Sequence, residues 1–222
     1  MRGYPAREDR VMDRRLSPLL LPLLPLLLPL AAPLAGCKAL ALVLPEPTKT
    51  VPAEYPYLAG KKVAIAVRAD EETTAVYPHV QWEVADHVRV QLENNILGIT
   101  VVETRKVVDF QRSDPNWDRL DPADLGKRFG ADRVLELDLT QYTTRQPESE
   151  YLYRGEIAAA MRVYNCEYPN SQAAYQSHAE TVYPPSGPGQ YGTREADIRR
   201  ATMEAFAEEV AGRFYDRNVK VK

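Results

Sequence analysis

Across 222 residues, 28 Lys and Arg are set against 31 Asp and Glu, a formal net charge of −3. A balance of that sign repels phosphate backbones instead of recruiting them by counterion release, so nucleic acid is not expected as a partner. The two cysteines, Cys37 and Cys166, allow at most one internal disulfide, and the length suits one domain of ordinary size.

In chain order, Arg14 and Arg15 form a basic edge, and an apolar stretch from Leu19 to Leu34 follows, interrupted by Pro22, Pro25, Pro29 and Pro33. Basic, then apolar, then small is the layout of a secretory signal. A transmembrane span needs about 20 predominantly apolar residues, and each proline removes a backbone donor, so the prolines argue against one. Met12, followed by Asp13-Arg14-Arg15, makes a more ordinary start than Met1. The stretch Leu34-Ala35-Gly36-Cys37 resembles the lipobox of bacterial lipoproteins. That resemblance implies cleavage between Gly36 and Cys37 and acylation of the Cys37 thiol. The result would be a membrane anchor that two or three acyl chains make effectively permanent. Lys38 in place of an aspartate points, by the same analogy, to the outer membrane, facing the periplasm. With Cys37 consumed, Cys166 has no disulfide partner, and a partly buried inert thiol is the reading for it.

Residues 1–36 are therefore expected to be a lipoprotein signal peptide and residues 37–61 an acylated tether, punctuated by Pro45, Pro47, Pro52 and Pro56. Such chain is extended at about 3.1 Å per residue. Beyond the predicted cleavage, 23 Lys and Arg face 28 Asp and Glu, so the exported part is acidic.

A folded domain is predicted for residues 62–218, with a basic tail at 219–222. The β-branched run Val63-Ala64-Ile65-Ala66-Val67 reads as a buried strand. Val80, Val84, Val88 and Leu92 give a helical stripe that ends near Asn94-Asn95, and Ile99 to Glu103 reads as a second strand. Asp109, Asp114, Asp118, Asp121 and Asp124 crowd the next segment without the ligand spacing, central Gly or closing Glu of a calcium loop. Asp121-Pro122 is instead a helix cap with proline at the first helical position, and Leu125, Phe129 and Gly130 complete a short helix. Three strands are expected at Arg133 to Tyr142, Tyr151 to Tyr164 and Ala173 to Tyr183. In the first, Leu135, Leu137 and Leu139 alternate with Glu136, Asp138 and Thr140, as in a sheet with one wet face. A last helix, about Arg194 to Asp216, carries Ile198, Thr202, Phe206, Val210 and Phe214 on one stripe. The prediction is an α+β fold in the order β-α-β-α-β-β-β-α: a mixed sheet of about five strands with two long helices and one short helix.

That order, with the phrase Leu125-Gly126-Lys127-Arg128-Phe129-Gly130-Ala131-Asp132-Arg133-Val134, resembles the periplasmic domain shared by three groups. They are the curli secretion lipoprotein, the N-terminal domain of TolB, and lipoprotein activators of peptidoglycan synthases. The resemblance implies a non-catalytic binding and assembly module for another envelope protein, with self-association left open. A subunit of an outer-membrane secretion or transport complex is the alternative, although Arg154, Glu156 and Arg162 interrupt the one generous hairpin that a curli-type pore would need.

A periplasmic hydrolase would have to draw on His79, His87, His178, Cys166, Glu136, Asp138 and Glu180, with His178 and Glu180 on one strand face. There is no HExxH, nucleophile elbow, phosphate loop or metal-spaced cysteine pair, so no catalytic site, cofactor or metal is expected. Tyrosine is the compositional excess, thirteen against four Phe. It falls at Tyr142, Tyr151, Tyr153, Tyr164, Tyr168, Tyr175, Tyr183 and Tyr191 among the last strands and loops. Amphipathic rings suit contact surfaces, and Tyr151, Tyr153 and Tyr175 are the predicted partner surface.

Overall fold

The computed structural model describes residues 48–146, 149, 151–170 and 172–220. The predicted signal peptide, Leu34, Ala35, Gly36, Cys37 and the start of the tether lie outside the described residues. The first elements are β1 (Thr48–Val51), β2 (Lys62–Arg68), α1 (Glu71–Val76), α2 (Val80–Asn95), β3 (Thr100–Val101) and α3 (Thr104–Ser113). A 3-10 turn (Trp117–Arg119) and α4 (Pro122–Arg128) follow. The chain then runs through β4 (Arg133–Arg145), β5 (Leu152–Asn165), β6 (Tyr175–Tyr183), β7 (Gln190–Tyr191), α5 (Glu195–Ala211) and β8 (Arg217–Lys220). This is the predicted α+β class, with α1, α3, β1, β7 and β8 added to the predicted order.

In β2, Val63, Ile65 and Val67 alternate with Ala64 and Ala66, and all five are buried, as in a strand covered on both faces. It lies parallel to β3 on one side and to β4 on the other. The antiparallel meander β4-β5-β6 extends the sheet to the order β3-β2-β4-β5-β6, and β7 pairs with the far end of β5. The valines and leucines of one face form the main core with α2 and α5. Both predicted helical stripes are buried, Val80 to Leu92 and Ile198 to Phe214, although α5 itself ends at Ala211, short of the predicted Asp216. Helix α5 lies close against β5 at Gly155, where a Cβ would stand 1.8 Å from Thr202 Oγ1.

The second face carries a smaller core of Ala64, Ala66, Val102, Val107, Leu125, Ala131, Val134 and Cys166 beneath α3 and α4. Helix α4 starts as predicted, with Pro122 in its first turn and the Asp121 carboxylate accepting from the Ala123 N–H at 2.7 Å. Gly126 lets α4 lie against the sheet, since a Cβ there would meet Cys166 Sγ at 2.3 Å. Cys166 is thus a packing residue, fully in the core, and burial pushes its thiol pKa up. The expected wet face of β4 is corrected over its first half. Glu136 is only 7% exposed, because the 3-10 turn and α4 roof the strand there, while Thr140 beyond them is open.

The fold takes in more of the proline-rich segment than a boundary at residue 61 allows. Strand β1 pairs antiparallel with β8, from Thr48↔Lys220 to Val51↔Arg217. Tyr55 and Leu58, on either side of Pro56, are buried in the main core while Tyr57 between them points outward, and Glu54 pairs with Arg213. The predicted basic tail likewise begins inside β8.

Candidate functional site

Where the roof over the second face ends, a cleft of about 230 Å³ opens between Trp117, Leu120 and Pro122 on one side and Arg68, Glu136, Arg162 and Tyr164 of the sheet on the other. Strand alternation aligns Arg68, Glu136 and Arg162 across β2, β4 and β5. Arg68 Nη2 donates to Glu136 Oε1 at 3.1 Å and Arg162 Nη1 to Oε2 at 3.4 Å. The Arg68 guanidinium also sits 5.4 Å from the Trp117 ring centre, a cation–π contact. Burial first, and then the Glu136 charge, push the Tyr164 phenol above its ordinary value. Asp138 stands 4.0 Å from Arg162, and Asp118 lines the rim, so the two guanidiniums are compensated from within. Both Glu136 oxygens are engaged. This chemistry ties three strands together at the end of the roof, with both guanidiniums facing carboxylates.

Exposed aromatic side chains lie elsewhere; Tyr57 and Tyr168 are 65% and 61% exposed at separate places. Tyr151 is 70% exposed and Tyr191 is 80% exposed, and the β5–β7 pairing sets Leu152 opposite Tyr191 and Tyr153 opposite Gln190. Tyr151, Tyr153 and Tyr191 therefore share one end of the sheet, with Tyr191, opposite Leu152, on the face away from Tyr153. The Arg145 guanidinium lies over the Tyr153 ring, 5.7 Å from its centre, and is held by Glu195 at 3.1 Å. Glu195 also accepts from Thr144 Oγ1 at 2.7 Å; that bond first, and then Arg145, hold its carboxyl below the ordinary value.

Tyr175, the third predicted surface tyrosine, is not with the other two. It stands opposite Val163, ten residues along β5 from Tyr153, a separation of roughly 33 Å along the strand. Its ring packs against Tyr55 at 5.4 Å and Phe214 at 5.8 Å, and its hydroxyl donates to Glu54 at 2.6 Å. It closes the core where the N-terminal segment docks. Tyr191 takes its place at the exposed end; the signal was its position between Gly189 and Gly192, both of which adopt positive φ.

The histidines are also dispersed. His79 precedes α2, His87 Nδ1 bonds Glu83 O within that helix at 2.8 Å, and His178 lies on the exposed face of β6. Asp138 and His178 face the same residue, Ala160, from two sides, which separates them by two strand spacings, roughly 10 Å. The crowded aspartates engage neighbours in the chain: besides the Asp121 cap, Asp114 accepts from Asn116 N at 3.0 Å, and Asp124 pairs with Lys127 at 3.4 Å. Among the described residues no group of three or more His, Cys, Asp or Glu is placed to hold a metal ion. Among the same residues no helix is long and apolar enough to cross a membrane.

No family model matches the chain, and no curated protein matches it in sequence. Solved structures do match. The PelC dodecamer from Paraburkholderia phytofirmans is 7% identical at a TM-score of 0.43, covering 75% of this chain and 98% of its own. Lipoprotein GNA1162 from Neisseria meningitidis is 13% identical at a TM-score of 0.42, covering 68% of this chain and 98% of its own. The LpoB C-terminal domain from Salmonella enterica is 11% identical at 0.29, covering 55% and 82%. The similar structures thus include bacterial lipoproteins, the class that the sequence resembles.

Proposed function

We propose that this chain is a lipid-anchored envelope protein that binds and positions another envelope protein and has no turnover of its own. The observation that carries the reading is the placement of Tyr151, Tyr153 and Tyr191 at the opposite end of the sheet from the docked N-terminal segment. A domain held through Cys37 would enter the fold beside Tyr55 and Tyr175 and present Tyr151, Tyr153 and Tyr191 roughly 33 Å further along β5. Rings with an apolar body and a polar tip suit a contact surface, and tethering raises the effective concentration of any partner in the same space.

The test is capture of envelope proteins by the membrane-held chain, wild type against Tyr151→Ser/Tyr153→Ser/Tyr191→Ser. Capture should fall at least ten-fold with the melting point within about 2 °C of wild type. Tyr175→Ser should do the reverse, lowering the melting point through the lost aromatic packing while leaving the captured set intact. Undiminished capture by the triple variant overturns the surface, and fatty acid still incorporated into Cys37→Ser overturns the anchor.

A further inference from the structure

Strand β6 is the outermost strand of the sheet on its side. Its register with β5 runs from Val163↔Tyr175 to Gly155↔Tyr183 without a bulge. Among the described residues no other backbone hydrogen-bonds its outer edge. A regular nine-residue edge is a template for pairing with another chain, and proteins blunt such edges with Lys, Pro or a bulge. β6 has no Lys, Pro or bulge, and Glu180 is its one carboxylate.

We propose that the occupant of this edge is β6 of a second copy of the chain, antiparallel and centred on Ala179. The sequence Tyr175-Gln176-Ser177-His178-Ala179-Glu180-Thr181-Val182-Tyr183 is chemically matched about that residue at three of its four flanking pairs, Gln176 opposite Val182 being the exception. Pairing about Ala179 sets His178 of each copy opposite Glu180 of the other, Ser177 opposite Thr181, and Tyr175 opposite Tyr183. Partners in each pair share a face of the joined sheet, as an in-register ladder requires. His178 and Glu180 are both exposed and have no hydrogen bond or ion pair among the described residues, so each imidazole N–H gains a carboxylate and each carboxylate a donor, twice by symmetry. Moving the centre to Glu180 opposes two like charges, moving it to His178 opposes the two imidazoles, and a one-residue slip sends every side chain to the wrong face. Ala179 on the axis is small enough to meet itself.

The test uses the full-length protein purified from membranes in detergent. In the double variant His178→Cys/Glu180→Cys, mild oxidation should give a disulfide-linked dimer, because the two positions are opposed across the axis. Gln176→Cys should give none, since its two copies lie roughly 20 Å apart along the strands. By sedimentation equilibrium, His178→Glu should weaken the dimer about ten-fold or more, and the exchanged pair His178→Glu/Glu180→His should return it to within about three-fold of wild type. Three results would overturn the proposal: a monomer at every concentration, a dimer indifferent to His178→Glu, or cross-linking of the double variant to a different protein.

Discussion

Replacing Leu58 with alanine asks whether the proline-rich segment belongs to the fold. Leu58 is 0% exposed and a member of the main core. Three carbons leave on truncation, worth about 0.8 kcal/mol each in transfer, or roughly 2.4 kcal/mol. The cavity adds to this, because a fully buried site in the main core cannot collapse fully. The expected loss is about 3 kcal/mol, inside the range of about 2–5 kcal/mol for buried Leu→Ala changes. With a urea slope of about 2 kcal/mol/M, the unfolding midpoint of the chain should fall by about 1.5 M. Were residues 52–61 a tether outside the fold, Leu58 would behave as a surface residue and the change would stay within about 0.5 kcal/mol, a shift of about 0.25 M. A midpoint that moves no further than that refutes the docking of this segment.

Two other outcomes are expected. Glu54 is held below its ordinary value of 4.5 first by the Tyr175 hydroxyl and then by Arg213, and Glu195 is held below 4.5 first by Thr144 and then by Arg145. Groups whose folded pKa is depressed contribute stability that is complete above 4.5 and is lost as pH falls through that value and below it. Glu54→Gln/Glu195→Gln should therefore flatten the fall in urea midpoint between about pH 6 and pH 3, and an unchanged slope would dismiss both sites. Gly155→Ala should cost about 3 kcal/mol by driving its Cβ into Thr202, and Thr202→Ala in that background should recover part of the loss in thermal unfolding; equal melting points for Gly155→Ala and wild type would refute the contact.

Much of the fold was legible because its signals are local. The β2 run, the stripes of α2 and α5, and the Asp121-Pro122 cap each declare themselves within a few residues. Strand β1 does not: its partner β8 lies at the other end of the chain, and four residues carry no period of their own. Helix α3 was lost among the aspartates, since Glu103 at its start makes no side-chain cap and only one narrow stripe, Thr104, Val107, Val108 and Gln111, is buried. The burial of Glu136 and the separation of Tyr175 from Tyr151 and Tyr153 depend on the roof over β4 and on the length of β5. Alternation along one strand shows which side chains share a face and says nothing of what covers it. A hint was present in β2 itself, where small alanines on the second face leave room for helices to approach closely.

The pairing of β1 with β8 decides how the domain carries a mechanical load. Tension arriving from the N-terminal side runs down β1 and is met next by Glu54 on Arg213 and by the seated Tyr55 and Leu58, before any strand of the large sheet is pulled. A force that peels this short plug would release the segment from Thr48 to Leu58, roughly 35 Å of slack, before reaching β2. The docked segment therefore stands in series with the large sheet, ahead of β2, for any pull on the N-terminal side.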